Sequence, residues 1–150
     1  MLQIPESAYL QLRRHGEAAY PHECCGVLVG VISGGISAPD KLVSQAIAVE
    51  NASAGNTHNH YEINPIDLVR IERQARASNV TILGFYHSHP DHPAQPSSTD
   101  LAEAHWLGCS YVITEVANGV AADTRSFHLA GSSEEEKSFQ PEEISLEAGP

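Results

Sequence analysis

The amino-acid sequence predicts a single α/β (or α+β) domain in which about three helices pack on one mixed central β-sheet. Apolar runs typical of buried strands are interspersed with amphipathic, helix-like segments along the whole chain. The chain has 150 residues, enough for one domain with a substantial core, and it contains neither an internal repeat nor a long linker. Its hydrophobic content of 41% and charged content of 18% are ordinary for a globular protein.

Three helices are expected, over residues 4–19, 65–78 and 98–107. In the first helix, Pro5 suits the opening turn, apolar side chains recur near one face, and Pro21 ends the helix. The second helix starts at Asn64-Pro65, a capping side chain followed by proline at the first helical position. The third is an apolar segment that Asp100 opens.

The strands are predicted from apolar runs rich in β-branched and aromatic residues. The run that ends at Ile32 is continuous, which is typical of a central strand, and a turn at Gly34-Gly35 follows it. Residues 80–86 form a second continuous run. Further strands are predicted over residues 42–49, 57–63 (a short edge strand), 110–116, 124–129 and 143–147.

Charge and cysteine content exclude several classes of function. The net charge of −11 argues against nucleic-acid binding, which needs a basic face. We expect no signal peptide, because no basic segment precedes an apolar one at the N-terminus, and no apolar run approaches the ~20 residues that span a bilayer. Three cysteines, two of them adjacent, do not suggest a disulfide framework, so a cytoplasmic location is expected.

Two histidines and an aspartate suggest a metal site. His87 and His89 end the apolar run 80–86, and side chains at i and i+2 of a strand point the same way. Ten residues, including a Pro/Ser-rich loop, separate His89 from Asp100, enough for the chain to fold back. Two histidines and one carboxylate form the three-ligand set of a catalytic zinc with an open fourth position.

Such a site also needs a proton acceptor and an oxyanion donor. Glu23 is the candidate general base, because it stands at the mouth of an apolar strand, where an unpartnered carboxylate is unusual. Ser97 is the candidate oxyanion donor and Ser98 the substitute. The alternatives are that Glu23 is a solvated strand-edge carboxylate and that Ser97 only caps the following helix.

Together these residues resemble the JAMM (MPN+) metalloprotease motif. That motif is a glutamate, then His-x-His-Pro, then an aspartate that ten intervening residues separate from the second histidine, with a serine three positions before the aspartate. Glu23, His87, His89, Ser97 and Asp100 fill every position. The surrounding sequence is similar to small prokaryotic members, and the likeness covers about residues 1–130.

The resemblance implies a cytidine-deaminase-like α/β fold of the JAMM/MPN type over residues 1–130. Residues 131–150, beyond the resemblance, form an acidic C-terminal segment that contains the last predicted strand. The resemblance also implies one Zn²⁺ held by His87, His89 and Asp100, with Glu23 acting as base and then acid and Ser97 stabilising the oxyanion. Family members cleave peptide or isopeptide bonds at the C-terminal tail of ubiquitin-like proteins. Small bacterial members are similar to peptidases that act on ThiS-like sulfur-carrier proteins, so by analogy we expect a substrate of that class.

Two other functions fit the sequence less well. A non-catalytic MPN-type interaction module usually lacks one or more ligands, and none is missing here. A zinc deaminase would need His-x-Glu with Pro-Cys-x-x-Cys, which the sequence does not contain.

The remaining polar motifs have simpler interpretations. His58 and His60 are expected on an exposed edge strand, which could pair with an extended peptide tail. His92 is expected to be solvated or to face the substrate. Cys24 and Cys25 are expected as small buried residues, because a cysteine nucleophile needs a base and an orienting third group. Three arginines are expected on a solvated helix face where an acidic partner could dock: Arg70, Arg73 and Arg76.

Overall fold

The computed structural model describes residues 1–35 and 38–148. Within these ranges the backbone forms three helices: α1 (Glu6–Ala19), α2 (Pro65–Ala77) and α3 (Ser98–Glu103). It also forms eight strands: β1 (Leu2–Pro5), β2 (Cys25–Gly35), β3 (Ala38–Val49), β4 (Thr81–Pro90), β5 (Ser110–Ala117), β6 (Val120–Ala130), β7 (Ser138–Glu142) and β8 (Ile144–Glu147). No helix in these ranges combines the length and apolar character needed to cross a bilayer.

All eight strands join one mixed sheet, in the order β7-β6-β5-β4-β2-β3-β1-β8. β4 lies near its centre, antiparallel to β2 and parallel to β5. From residue 82 to residue 89 every side chain of β4 is buried, which explains why its sequence is a continuous apolar run rather than an alternating one. The centre of the sheet therefore carries both histidines of the His-x-His segment.

The helices cover the two faces of the sheet. α1 packs on one face through Leu12, against a core cluster that includes Tyr86. α2 packs on the other face through Ile71, against a cluster that includes Phe85. Because side chains alternate along a strand, His87 shares the face of Phe85. The metal-site candidates thus lie on the α2 side of the sheet.

The two edges of the sheet meet. β7 and β8 lie at opposite edges although only Glu143 separates them in the chain, so the sheet has to curl. The amide of Leu2 in β1 donates to the carbonyl of Glu143 at 2.9 Å. Lys41 in β3 is buried, with its Nζ 2.6 Å from Ser110 Oγ in β5 and 3.6 Å from the Glu142 carboxylate in β7. This polar cluster bridges strands that the sheet order separates.

The described elements confirm most of the predicted strands and the first two helices, with shifted ends. β4 continues through Pro90, so the histidines belong to the strand itself rather than to the loop after it. The third helix ends at Glu103 instead of residue 107. The predicted turn at Gly34-Gly35 is part of β2, because Gly35 pairs with Ala38, and residues 36 and 37 lie outside the described ranges.

Three predictions were wrong or incomplete. No strand forms over 57–63, because local side chains take the backbone donors that a strand would use: the Asn51 Oδ1 accepts from the amides of Ser53 and Glu62. The strand-edge position predicted for His58 and His60, with its site for strand addition, is therefore wrong. Strands β1 and β7 are not among the predicted strands. β1 is short and depends on partners distant in sequence, and β7 is a short segment that contains a proline and no apolar run.

Candidate metal centre

Three ligand atoms converge at the end of β4. The pleat of β4 points His87 and His89 to the same side, and the first turn of α3 brings Asp100 to them. The two Nε2 atoms are 3.2 Å apart, and the Asp100 Oδ2 lies 3.3 Å from His87 Nε2 and 3.0 Å from His89 Nε2. The structure thus brings together all three residues that the sequence predicted as metal ligands.

The three distances fit a cation with tetrahedral coordination. Ligands about 2.0–2.1 Å from a zinc are ~3.3–3.4 Å apart along a tetrahedral edge, close to the three observed separations. Burial lowers the pKa of His87. Burial alone would raise the pKa of Asp100, but hydrogen bonds from His87 and His89 hold it well below its usual range. A neutral imidazole and an ionised carboxylate are the forms that bind metal.

Neighbouring groups orient the two imidazoles. The Nδ1 of His89 lies 2.8 Å from the carbonyl oxygen of Pro93, a contact that places the proton on Nδ1 and leaves Nε2 as the ligand atom. The ring of His87 stacks on Tyr61, with centroids 4.4 Å apart. The Nδ1 of His87 is buried without a hydrogen-bond partner among the described residues.

The predicted general base, Glu23, lies beside the three predicted ligands. Pairing of Cys25 with His87 in the β2–β4 register, extended by two residues, places Glu23 across from His89. A carboxylate oxygen of Glu23 and ring nitrogens of His89 and His92 all lie within 4.8 Å of one another, a span that one water can bridge. The side chain is 3% exposed, and its Oε1 has no partner among the described residues.

The environment of Glu23 favours its protonated form when no cation is near. Burial, reinforced by the charges of Asp100 and Glu103, raises the pKa of Glu23 to about 9. Two contacts hold its backbone in this apolar position: the Glu23 amide donates to the carbonyl of Thr57, and its carbonyl accepts from Asn51 Nδ2. A carboxylate placed where its charge is disfavoured is typical of a functional group.

Ser97 is the N-cap of α3 and forms a capping box with Asp100. Its Oγ accepts from the Asp100 amide at 3.0 Å, and the Ser97 amide donates to Asp100 Oδ2 at 2.9 Å. The cap that the sequence suggested as an alternative is thus present. It uses only a lone pair of the hydroxyl, so the exposed O–H of Ser97 can still donate.

Three contributors to the site were not predicted. Tyr61 shields His87, His92 stacks on His89 with centroids 4.1 Å apart, and Ser88 Oγ accepts from the Cys24 amide at 2.8 Å. Ser88 therefore positions the segment that carries Glu23. His92 had a sequence signal, since it lies within the loop between the ligands, but the roles of Tyr61 and Ser88 depend on contacts distant in sequence.

Cys24 and Cys25 are buried, as expected, and neither lies in a disulfide. Burial raises the pKa of the Cys24 thiol to about 11 and that of Cys25 to about 12. Both sulfurs are thus poor nucleophiles at neutral pH.

A sequence model of the family described as prokaryotic homologs of the JAB domain matches residues 5–130. The chain belongs to this JAB family. The match confirms the resemblance to JAMM/MPN proteins that the motif suggested.

Several curated relatives of this JAB domain are similar over part of their length. Desampylase of Haloferax volcanii is 36% identical over 93 residues, 62% of this chain and 62% of desampylase. The probable TtuB-protein conjugate cleaving protease of Thermus thermophilus is 26% identical over 106 residues, 71% of this chain and 65% of that protein. Tail tip assembly protein K of Escherichia phage N15 is 34% identical over 89 residues, 59% and 30% of the two chains. The chain spans less than two thirds of each.

Solved structures share the fold of this JAB domain. A solution structure from Desulfitobacterium hafniense has 25% identity and a TM-score of 0.82, covering 99% of this chain and 94% of the other. A JAB1/MPN domain protein from Archaeoglobus fulgidus has 14% identity and a TM-score of 0.55, with coverage of 97% and 96%. These likenesses confirm the predicted α/β fold of the JAMM/MPN type.

A cleft of about 400 Å³ adjoins the candidate metal centre of the JAB domain. Tyr61, which stacks on His87, forms one wall, and Phe85 lies on the same face of β4 two residues before His87. Its walls are largely aromatic and aliphatic, with acidic groups among them: Tyr61, Glu62, Ile63, Leu68, Phe85, Glu103, His105, Trp106 and Tyr111. A cleft of this size and lining suits a short stretch of extended peptide.

Proposed function

We propose that this chain is a zinc-dependent metallopeptidase that hydrolyses a peptide or isopeptide bond at the C-terminal tail of a ubiquitin-like or ThiS-like sulfur-carrier protein. One observation carries the proposal: the carboxylate of Glu23 lies within 4.8 Å of a ring nitrogen of His89, beside three converging ligand atoms. The names of two relatives, a desampylase and a probable protein conjugate cleaving protease, support proteolysis as the reaction.

His87, His89 and Asp100 would hold the zinc, one through each converging atom. Bound zinc supplies Lewis-acid polarisation and a positive field that favours the ionised form of nearby carboxylates. The carbonyl of Pro93 keeps His89 in the required tautomer. Tyr61 covers the ring of His87 and excludes water from that side.

Glu23 moves the proton. Its carboxylate accepts a proton from the attacking water and then donates it to the nitrogen of the departing amine, so one group serves as base and acid. The burial of Glu23 suits both steps, because few competing water molecules reach its carboxyl group. The hydroxyl of Ser97 donates to the oxyanion that forms at the scissile carbonyl.

Cleavage of a defined substrate tests this proposal. We expect the zinc-loaded protein to release a short peptide fused to the Gly-Gly C-terminus of a ThiS-like carrier, measured by intact mass spectrometry. Glu23→Gln is expected to keep its zinc and lose cleavage. Glu135→Gln, the same change at an exposed glutamate outside the site, is the matched control and should cleave like the wild type. Wild-type cleavage by Glu23→Gln would refute the mechanism.

A non-catalytic interaction module is the second candidate. One relative is named for tail tip assembly rather than for cleavage, and this name supports an interaction module. The two candidates differ in metal content: an enzyme should bind one zinc per chain, measured by mass spectrometry of the native protein. A purified chain that neither contains zinc nor takes it up would favour the module.

A further inference from the structure

The outward face of α2 is an unusual surface for this chain. α2 buries only Ile71 and Ala75 against the sheet, and Leu68 is partly buried. On the opposite side Ile66 is 75% exposed and Val69 49% exposed, one helical turn apart. They belong to a shallow depression lined by Pro65, Ile66, Val69, Arg70, Arg73 and Gln74. We call Ile66, Val69, Arg70 and Arg73 the α2 outer face.

This face is also locally basic in an acidic protein. The chain carries a net charge of −11 and only eight lysines and arginines, three of which lie on α2. Arg70 pairs with Asp67 and Arg76 pairs with Glu72, each at 2.9 Å. Arg73 makes no ion pair among the described residues. The α2 outer face therefore combines apolar area with an unpaired positive charge, which suits an acidic partner.

The same charge argues against a symmetric pairing of two copies through α2. A two-fold interface places the same patch of both chains in contact. The arginines of the two helices would then face each other, and apposed like charges are unfavourable. A different protein with negative charge fits the face better than a second copy does.

The α2 outer face adjoins the cleft of the metal centre. Leu68 lines the cleft and the next residue, Val69, lines the outer depression, so one helix forms a wall of both. Ile63 in the cleft likewise precedes Pro65 in the depression by two residues. A protein whose tail lies in the cleft would have its folded body beside α2.

We propose that the α2 outer face binds the folded body of the tail-bearing substrate, through an acidic surface of that protein that also presents apolar side chains. The inference rests on the proposed function and adds a second binding surface to it. Ile66, which exposes most apolar area, contributes affinity, and Arg73 contributes attraction at a distance. A tail peptide without the folded body reaches only the cleft.

The experiment compares two substrates. One is a ThiS-like carrier with a peptide extension after its Gly-Gly C-terminus, and the other is a synthetic peptide with the same tail and extension. The variant Ile66→Glu/Arg73→Glu is expected to lower kcat/KM for the folded carrier by about tenfold or more, as loss of a central contact does. For the peptide, kcat/KM should stay within about twofold of the wild type, since the cleft is unchanged.

The matched control is Ile32→Glu/Arg14→Glu, because Arg14 is exposed on α1, on the face of the sheet opposite α2, and like Arg73 makes no ion pair among the described residues. Ile32 is 60% exposed and lies seven residues along β2 from Cys25, about 23 Å from the site end of the strand. This control variant introduces the same two negative charges and should cleave both substrates like the wild type. Circular dichroism and zinc content establish that each variant is folded and loaded.

The outcomes separate the two proposals. If the wild type cleaves neither substrate, the proposed function fails, and the inference built on it fails as well. If the wild type cleaves both and the α2 variant loses the same factor on each, or nothing on either, only the inference is overturned. If the variant instead turns a dimer into a monomer in sedimentation velocity, the occupant is a second copy, which also overturns it.

Discussion

Replacing Glu23 by glutamine is expected to stabilise the metal-free protein while it removes the activity. The two side chains have almost the same shape, so the change acts on charge and proton transfer rather than on packing. Loss of a general base reduces catalysis by about 10²–10⁴-fold. The free energy of unfolding should instead increase, because burial in the folded state keeps the Glu23 carboxyl group protonated at a pH where it would ionise in water.

The magnitude follows from the raised pKa. Burial raises the pKa of Glu23 from its ordinary value of 4.5 to about 9. Between these pH values the unfolded chain is ionised and the folded chain is not, so the free energy of unfolding falls by about 1.4 kcal/mol for each pH unit of increase. At pH 7 the accumulated loss is on the order of 3 kcal/mol. Because glutamine does not ionise, the Glu23→Gln variant does not suffer this loss of stability.

Urea denaturation in the presence of a chelator measures the effect. The free energies of unfolding of wild type and Glu23→Gln should be similar at pH 4.5 and should diverge progressively up to about pH 9. Glu135→Gln, at an exposed glutamate, should follow the wild type at every pH. An equal stability of wild type and Glu23→Gln at pH 8 would mean that Glu23 is not desolvated as described.

Three further perturbations test the site and the sheet. His89→Ala should abolish zinc binding and, with it, the rise in Tm on adding zinc, measured by scanning calorimetry. Lys41→Met should lower the free energy of unfolding by about 3 kcal/mol or more, because it leaves the Glu142 carboxylate buried without its cation, and Lys41→Met/Glu142→Leu should recover much of the loss. Gly84→Ala should lower the urea midpoint, since its Cβ would lie 2.0 Å from the Ser110 carbonyl oxygen and press β4 away from β5, at a cost of ~3 kcal/mol; an unchanged midpoint would contradict that close approach.

The convergence of His87, His89 and Asp100 could be predicted because it depends on local rules. Strand alternation alone sets His87 and His89 on one side, and the position of Asp100 in the first turn of α3 limits where that carboxylate goes. The cap at Asn64, whose Oδ1 accepts from the Ile66 amide, is equally local. The spacing of these residues in the sequence was therefore enough to predict much of the candidate metal centre.

Contacts between distant segments could not be predicted in the same way. β1 is four residues long, and its partners β3 and β8 lie far along the chain. β7 pairs with the preceding strand β6, but its five residues include a proline and no apolar run that would predict a strand. The strand predicted over 57–63 failed because Asn51 offered its backbone a nearer partner. Tyr61 could be placed over His87 only once this irregular segment had been located.

The meeting of the two sheet edges affects how well this chain is protected against self-association. One short stretch, residues 138–147, protects β6 on one side and β1 on the other. Detachment of that stretch would uncover two rows of backbone donors and acceptors at once, and such rows recruit strands from other molecules. Cleavage or deletion near Glu143 should thus promote self-association far more than an equal loss from a surface loop.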